Sequence, residues 1–171
     1  MRRTAMALVM LFLVPSLLGV VAETPDTISL DGDMSDWPQD SLQTTDSNAV
    51  TFRMTWDESH LFIGWSGTDW ASESEGADFF IYLNSSEGGT PLSKDWNLAQ
   101  TLPFAADHAF VLEDSMYSSL QMYNGSGWVE NPQSAATWIG HSENQNTEVG
   151  IPWDAIGNPN HVGVIVWAQW Q

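Results

Sequence analysis

The chain contains no cysteine. Disulfide staples, thiol nucleophiles and thiolate metal sites are therefore excluded, and an exported domain of this kind must rely on its core or on bound ions. Positive charge is almost as scarce. Four Lys and Arg residues face 22 Asp and Glu, for a formal net charge of −18. Such a chain repels nucleic acid and anionic lipid, and favours neutral, cationic or metal-bridged partners. The same charge also keeps a protein soluble in a salty medium. No segment after the N-terminal region carries the 3.6-residue apolar period of a normal amphipathic helix, which argues against bundles and α/β folds. Gly-x-Ser-x-Gly, His-Glu-x-x-His and phosphate-cradling glycine loops are missing as well. Among 22 carboxylates some pair will always suit glycoside hydrolysis, so that pairing carries no signal. The reading is of a protein that is not an enzyme.

The one long apolar run lies at the start. Arg2 and Arg3 precede Ala5–Val21, and Val20 and Ala22 take the small-residue positions before a cut at Glu23. This is the layout of a secretory signal peptide over residues 1–22. Pro15 interrupts the run, which is near the lower length limit for an anchor helix. Residues 23–171 read as a single module, secreted or held at the cell surface, with no membrane insertion after cleavage. Its only basic residues are Arg53 and Lys94. The chain stops at Trp170-Gln171 inside an apolar run, whereas domains usually end in a polar tail. It therefore reads as C-terminally truncated, one of several domains of a longer polypeptide.

What the module does contain is strand pattern. Val50-Thr51-Phe52-Arg53-Met54-Thr55-Trp56 alternates strictly, Asp57-Glu58-Ser59 makes a turn, and His60–Trp65 returns as the second arm of a hairpin. Asp78–Leu83 is nearly continuous apolar sequence and predicts a central strand covered on both faces. His108–Glu113, Met116–Tyr123, Gly127–Glu130, Thr147–Pro152 and Val162–Trp170 predict further strands, with Asn124-Gly125-Ser126 as hairpin-turn chemistry. Pro152–Gly157 predicts one short helical turn closed by glycine. The expected fold is an all-β antiparallel β-sandwich, jelly-roll or immunoglobulin-like, with long loops and at most one short helix. Asn84-Ser85-Ser86 and Asn124-Gly125-Ser126 are sequons beside turns.

Two kinds of chemistry stand out. Asp31, Asp33 and Asp36 crowd one turn and could aim several oxygens at a hard cation such as Ca²⁺. The alternative is an Asx turn with Asp36 capping the backbone. The ten tryptophans are the second feature. Trp56, Trp65 and Trp167 lie in alternating apolar runs and are expected in the core. Trp70, Trp96 and Trp128 sit among polar or glycine-rich residues. An indole face packs against the C–H face of a pyranose while polar neighbours take its hydroxyls. Asp95-Trp96-Asn97 offers that combination in one loop.

Asp31-Gly32 followed by Asp36-Trp37, the run Thr55-Trp56-Asp57-Glu58-Ser59-His60-Leu61-Phe62, Asp69, and Asp78 opening an apolar strand occur in a set order. In that order they resemble the family-nine carbohydrate-binding modules and the related DOMON-like sandwiches, over about residues 28–170. The stretch from Asp78 through Gly88-Gly89 to Leu102–Asp107 resembles a subgroup found in secreted prokaryotic multidomain proteins. The resemblance implies a β-sandwich that binds a polysaccharide or glycan on stacked tryptophans, often with structural calcium. It adds Asp69 and Asp78 to Asp31, Asp33 and Asp36 as metal positions. The expected function is a non-catalytic extracellular carbohydrate-binding module, with Trp96, Trp70 and Trp128 as platform and Asp95 and Asn97 as hydroxyl partners. One alternative is a structural or adhesive domain without a small ligand. Another is a haem b domain, for which Met54, Met116 and Met122 with His60, His108, His141 and His161 are the possible axial ligands.

Overall fold

A computed structural model of the chain describes residues 28–43, 50–67, 77–94, 99–114, 117–133, 136–141 and 146–170. Residues 1–22, which the sequence predicts to be a signal peptide, lie outside them, as do the predicted site residues Asp69, Trp70, Asp95, Trp96 and Asn97. The strands are β1 (Leu42–Gln43), β2 (Thr51–Trp56), β3 (His60–Ser66), β4 (Ala77–Asn84), β5 (Thr90–Leu92), β6 (Thr101–Ala106), β7 (His108–Asp114), β8 (Tyr117–Tyr123), β9 (Trp128–Glu130), β10 (Thr137–His141), β11 (Asn146–Pro152) and β12 (Gly163–Trp170). Every pairing among them is antiparallel. Sheet A runs β1-β2-β3-β11-β10, sheet B runs β12-β4-β7-β8-β9, and β5 pairs with β6 as a separate hairpin. The protein is an all-β sandwich.

The period of two sorts each strand between an inner and an outer face. Phe52, Met54, Leu61, Ile63, Trp65, Val149 and Ile151 of sheet A meet Phe79, Ile81, Leu83, Phe110, Leu112, Leu120 and Val164 of sheet B in one core. Trp65 stacks on Phe79 across the interface, with ring centroids 4.3 Å apart. Truncating a buried aromatic of this kind costs about 3–5 kcal/mol. The helical turn at Asp154–Ile156 caps the core with Ala155 and Ile156 and is closed by Gly157 at φ 85°.

Among the described residues each outer face is covered in part, unlike a sandwich with one fully wet side per sheet. On sheet A, Ile28, Leu30, Met34 and Trp37 lie over Phe62 as a strap. Two glycines make room for it. A methyl group on Gly64 would stand 2.8 Å from the Met34 Cε and 3.0 Å from the Trp37 Cζ2, and one on Gly150 would stand 3.2 Å from the Leu30 Cδ1. On sheet B, Phe80, Tyr82, Ala109, Val111, Ile165 and Trp167 pack with Leu102, Phe104 and Ala106 of β6. Strand β4 is thus central and covered on both faces, as its apolar run predicts.

The tryptophans divide differently from the expectation. Trp65 is fully buried and Trp167 is 8% exposed, but Trp56 is 39% exposed. Alternation alone placed Trp56 with Phe52 and Met54. It is the last residue of β2, opposite Leu61, at the end of the strand where the core runs out.

Gly64→Ala is expected to cost about 1–3 kcal/mol, because the rigid Trp37 ring cannot give way as the Met34 tip can. Urea unfolding of the variant checks this; an unchanged midpoint would mean the strap does not rest on the sheet.

Candidate functional site

The acidic turn is built from its own backbone. Asp31 Oδ1 accepts from the Asp33 amide at 2.9 Å, Asp33 Oδ1 accepts from the Ser35 amide at 3.0 Å, and Asp36 Oδ2 accepts from the Ser29 amide at 2.7 Å. The first is an Asx-turn bond and the second an N-cap bond, while the third closes the loop back to residue 29. Among the described residues Asp36 Oδ1 is buried without a hydrogen-bond partner. Asp78 belongs to sheet B, on the same face of β4 as Phe80 and Tyr82, whereas the strap crosses sheet A. The structure does not bring Asp78 to the other three. Among the described residues no group of three His, Asp or Glu side chains could hold a metal ion.

The residue that organises this region is Glu148. Its side chain is fully buried on β11, on the outer face of sheet A. The Trp37 indole Nε1–H donates to Oε1 at 2.6 Å. The Asp31 amide donates to Oε2 at 3.0 Å, and the Gly32 amide donates to the same oxygen. Arg53 holds the far side of the strap, donating from Nη1 to the Pro38 carbonyl at 3.2 Å and to Ser41 Oγ at 3.1 Å. Burial pushes the Glu148 carboxyl above its ordinary value of 4.5, against the pull of Trp37, Gly32 and Asp31 N–H donors; the Asp31 charge adds to the push. Sequence reading missed Glu148 because an acidic residue in alternation with Thr147 and Val149 reads as solvent-facing. Its partners lie 111–117 residues away.

A polar floor interrupts the outer face of sheet B. Register sets Tyr82, Ala109, Gln121 and Glu130 in one row, with Val111 beside Ser119 in the next. Gln121 and Ser119 are buried, at 4% and 7% exposure. Lys94 Nζ donates to Gln121 Oε1 at 3.2 Å, and Gln121 Nε2 donates to Ser119 Oγ at 2.6 Å. The Tyr82 hydroxyl donates to the Lys94 carbonyl at 2.7 Å. Trp128 is half-buried, stands edge-on to Tyr82 and Tyr123 with centroids 5.8 Å away in each case, and donates from Nε1 to the Leu92 carbonyl at 3.2 Å. Tyr117, further along β8 on the same face, is 36% exposed. Trp128 and Lys94, the residue just before Asp95-Trp96-Asn97, thus share this face. The signal in the sequence was the spacing Tyr117-x-Ser119-x-Gln121-x-Tyr123, which puts polar and aromatic side chains on one side of a strand.

A third cluster joins Asp107, Ser85, Ser86 and His108. Asp107 accepts from the Ser85 amide, Ser85 Oγ and Ser86 Oγ, each at 2.7 Å, and meets His108 Nδ1 at 3.1 Å. Ser85 Oγ meets the same ring nitrogen at 3.1 Å. A relay of the serine-protease type needs hydroxyl and carboxylate on opposite ring nitrogens. This trio instead ties the turn after β4 to the turn between β6 and β7. Burial pushes the Asp107 carboxyl up, but bonds from His108, Ser85 and Ser86 outweigh it and hold it at about 2, below the ordinary 3.8. Of the haem candidates, Met54 is core and the His60 ring stacks on Phe62 at 5.6 Å. Met116 and the His141 side chain lie outside the described residues.

Compared with protein-family models, curated proteins and solved structures, the chain matches none. Among the described residues no helix is long and apolar enough to cross a membrane.

Two buried carboxylates, Asp107 and Glu148, push the pH response in opposite directions, and the lowered Asp57 adds to the Asp107 side. Asp107 contributes stability that is complete above 3.8 and lost as pH falls through about 2, a span worth roughly 2 kcal/mol. Glu148 contributes stability that is complete below 4.5 and lost as pH rises through its raised folded value. Thermal melts across the acid range are expected to peak at about pH 4. Asp107→Asn should flatten the acid limb and Glu148→Gln the other; a stability curve that climbs steadily to neutrality contradicts the assignment.

Proposed function

We propose that the protein is a non-catalytic carbohydrate-binding module of a secreted or cell-surface polypeptide, and that its ligand is a neutral glycan seated on the outer face of sheet B. The observation that carries this reading is the Lys94–Gln121–Ser119 chain beside the rings of Trp128, Tyr82 and Tyr123 on that face. Sugar sites combine those two ingredients: ring faces for C–H packing and fixed polar groups for hydroxyls. Tertiary packing holds the rings in place before any ligand arrives, so little ordering is required on binding. Asp95, Trp96 and Asn97 follow Lys94 directly and supply a further platform and two hydroxyl partners. Trp70 belongs to the same proposal on sequence grounds. A structural Ca²⁺ belongs to the same proposal, held by Asp31, Asp33 and Asp36 of the strap with Asp69.

A second reading is an adhesive or architectural domain. The exposed apolar side chains Leu42, Leu92 and Val129, at 53%, 50% and 37%, favour it as contact points for neighbouring domains.

A glycan array in calcium-containing buffer separates the two, since an architectural domain stays silent across it. For a responding sugar, Trp96→Ala is expected to weaken binding about tenfold or more and to leave the melting temperature nearly unchanged. A large melting loss without a specific binding loss would place Trp96 in the packing and remove it from the site.

A further inference from the structure

We infer that the Trp56–His60 turn, braced by Trp153, forms a second platform for a neutral sugar, distinct from the face of sheet B. The inference rests on the carbohydrate-binding reading above and extends it to a different part of the molecule.

An isolated exposed aromatic is ordinary on a protein surface. Three features set Trp56 apart. First, it is 39% exposed, while Trp37, Trp65 and Trp167 are buried at 8% or less. Second, the turn beside it is held rigidly. Asp57 Oδ1 accepts from the Ser59 amide at 2.7 Å, from Ser59 Oγ at 2.8 Å and from the His60 amide at 2.7 Å. The Asp57 amide donates to the His60 carbonyl at 3.0 Å. Third, the turn is braced from outside itself. The Trp153 amide donates to the Ser59 carbonyl at 2.9 Å, and the Trp153 indole donates to the Asp57 carbonyl at 2.9 Å. Burial raises the Asp57 carboxyl, yet the Ser59 and His60 bonds prevail and keep it below its ordinary value, hence ionised.

The ligand class follows from these groups. An indole presented on a fixed turn packs against a pyranose C–H face with little entropy lost on ordering. Among the described residues Asp57 Oδ2 has no partner, and Glu58 is exposed, so both carboxylates can accept hydroxyl hydrogens. An anionic sugar is disfavoured. The chain carries −18, and Arg53 and Lys94 bond to Pro38, Ser41 and Gln121 rather than to this turn.

The test is a titration of the whole chain with uncharged hexose oligomers (cellohexaose, laminarihexaose and mannohexaose), read by calorimetric stoichiometry. The expected result is two sites per chain for the responding sugar, and one remaining in Trp56→Ala with an unchanged melting temperature. Trp56→Phe, which keeps an aromatic face, should retain the second site and guards against a folding defect. A stoichiometry of one that Trp96→Ala abolishes and Trp56→Ala leaves intact overturns this inference and spares the sheet B reading. No binding by the unmodified chain overturns both.

Discussion

A buried carboxylate in the middle of a strand is the constraint around which this molecule is arranged. Glu148 has no solvent contact, and three N–H donors from residues 31–37 converge on its two oxygens. An ionisable group in such a place is tolerated only when its hydrogen-bonding capacity is filled. The strap is therefore not decoration on a finished sandwich. It supplies the donors that let Glu148 be buried, and Glu148 supplies the acceptors that fix the strap. Removing either partner leaves the other desolvated and unpaired, which costs about 1–3 kcal/mol per group.

The same device recurs on the opposite sheet. There the β5–β6 hairpin lies over Phe80, Tyr82 and Trp167, and Tyr82 and Gln121 pin its Lys94 end. Arg53 and Lys94 both serve as tethers, Arg53 for the strap and Lys94 for the hairpin. A cysteine-free chain thus covers part of each outer face with a few directed polar bonds over apolar contact. Among the described residues Tyr117 on sheet B and Trp56 beside its turn stay in contact with solvent.

Much of the fold was legible because alternation is local. β2, β3, β4, β7, β8, β11 and β12 and the Gly157-closed turn all announce themselves within a few residues. β5 and β6 did not, since Pro91 and Pro103 argue against strands; they are admissible here because the hairpin pairs only with itself. The covering segments were invisible for a different reason. Strap and sheet meet through contacts that no short window of sequence contains, with Glu148 and Gly150 more than a hundred residues from their partners, and Gly64, Gly150 and Glu148 each look unremarkable alone. Trp56 shows the converse error, where a periodic pattern runs one residue past the end of the core. Of the candidate site, Trp128 and the segment beginning at Lys94 could be picked out by composition. Ser119 and Gln121 show one strand face by their spacing, but their meeting with Tyr82 could not be read, because it depends on which strands become neighbours.

The claim that the strap is an integral part of the fold is tested most directly by native-state hydrogen exchange at the Trp37 indole and the Gly32 amide. If Glu148 holds the strap as described, both protons exchange only with global unfolding, at the same free energy as core amides such as Ile63 and Val149. Exchange of the strap protons at a much lower free energy, while the core stays protected, would show a detachable cover and contradict the account.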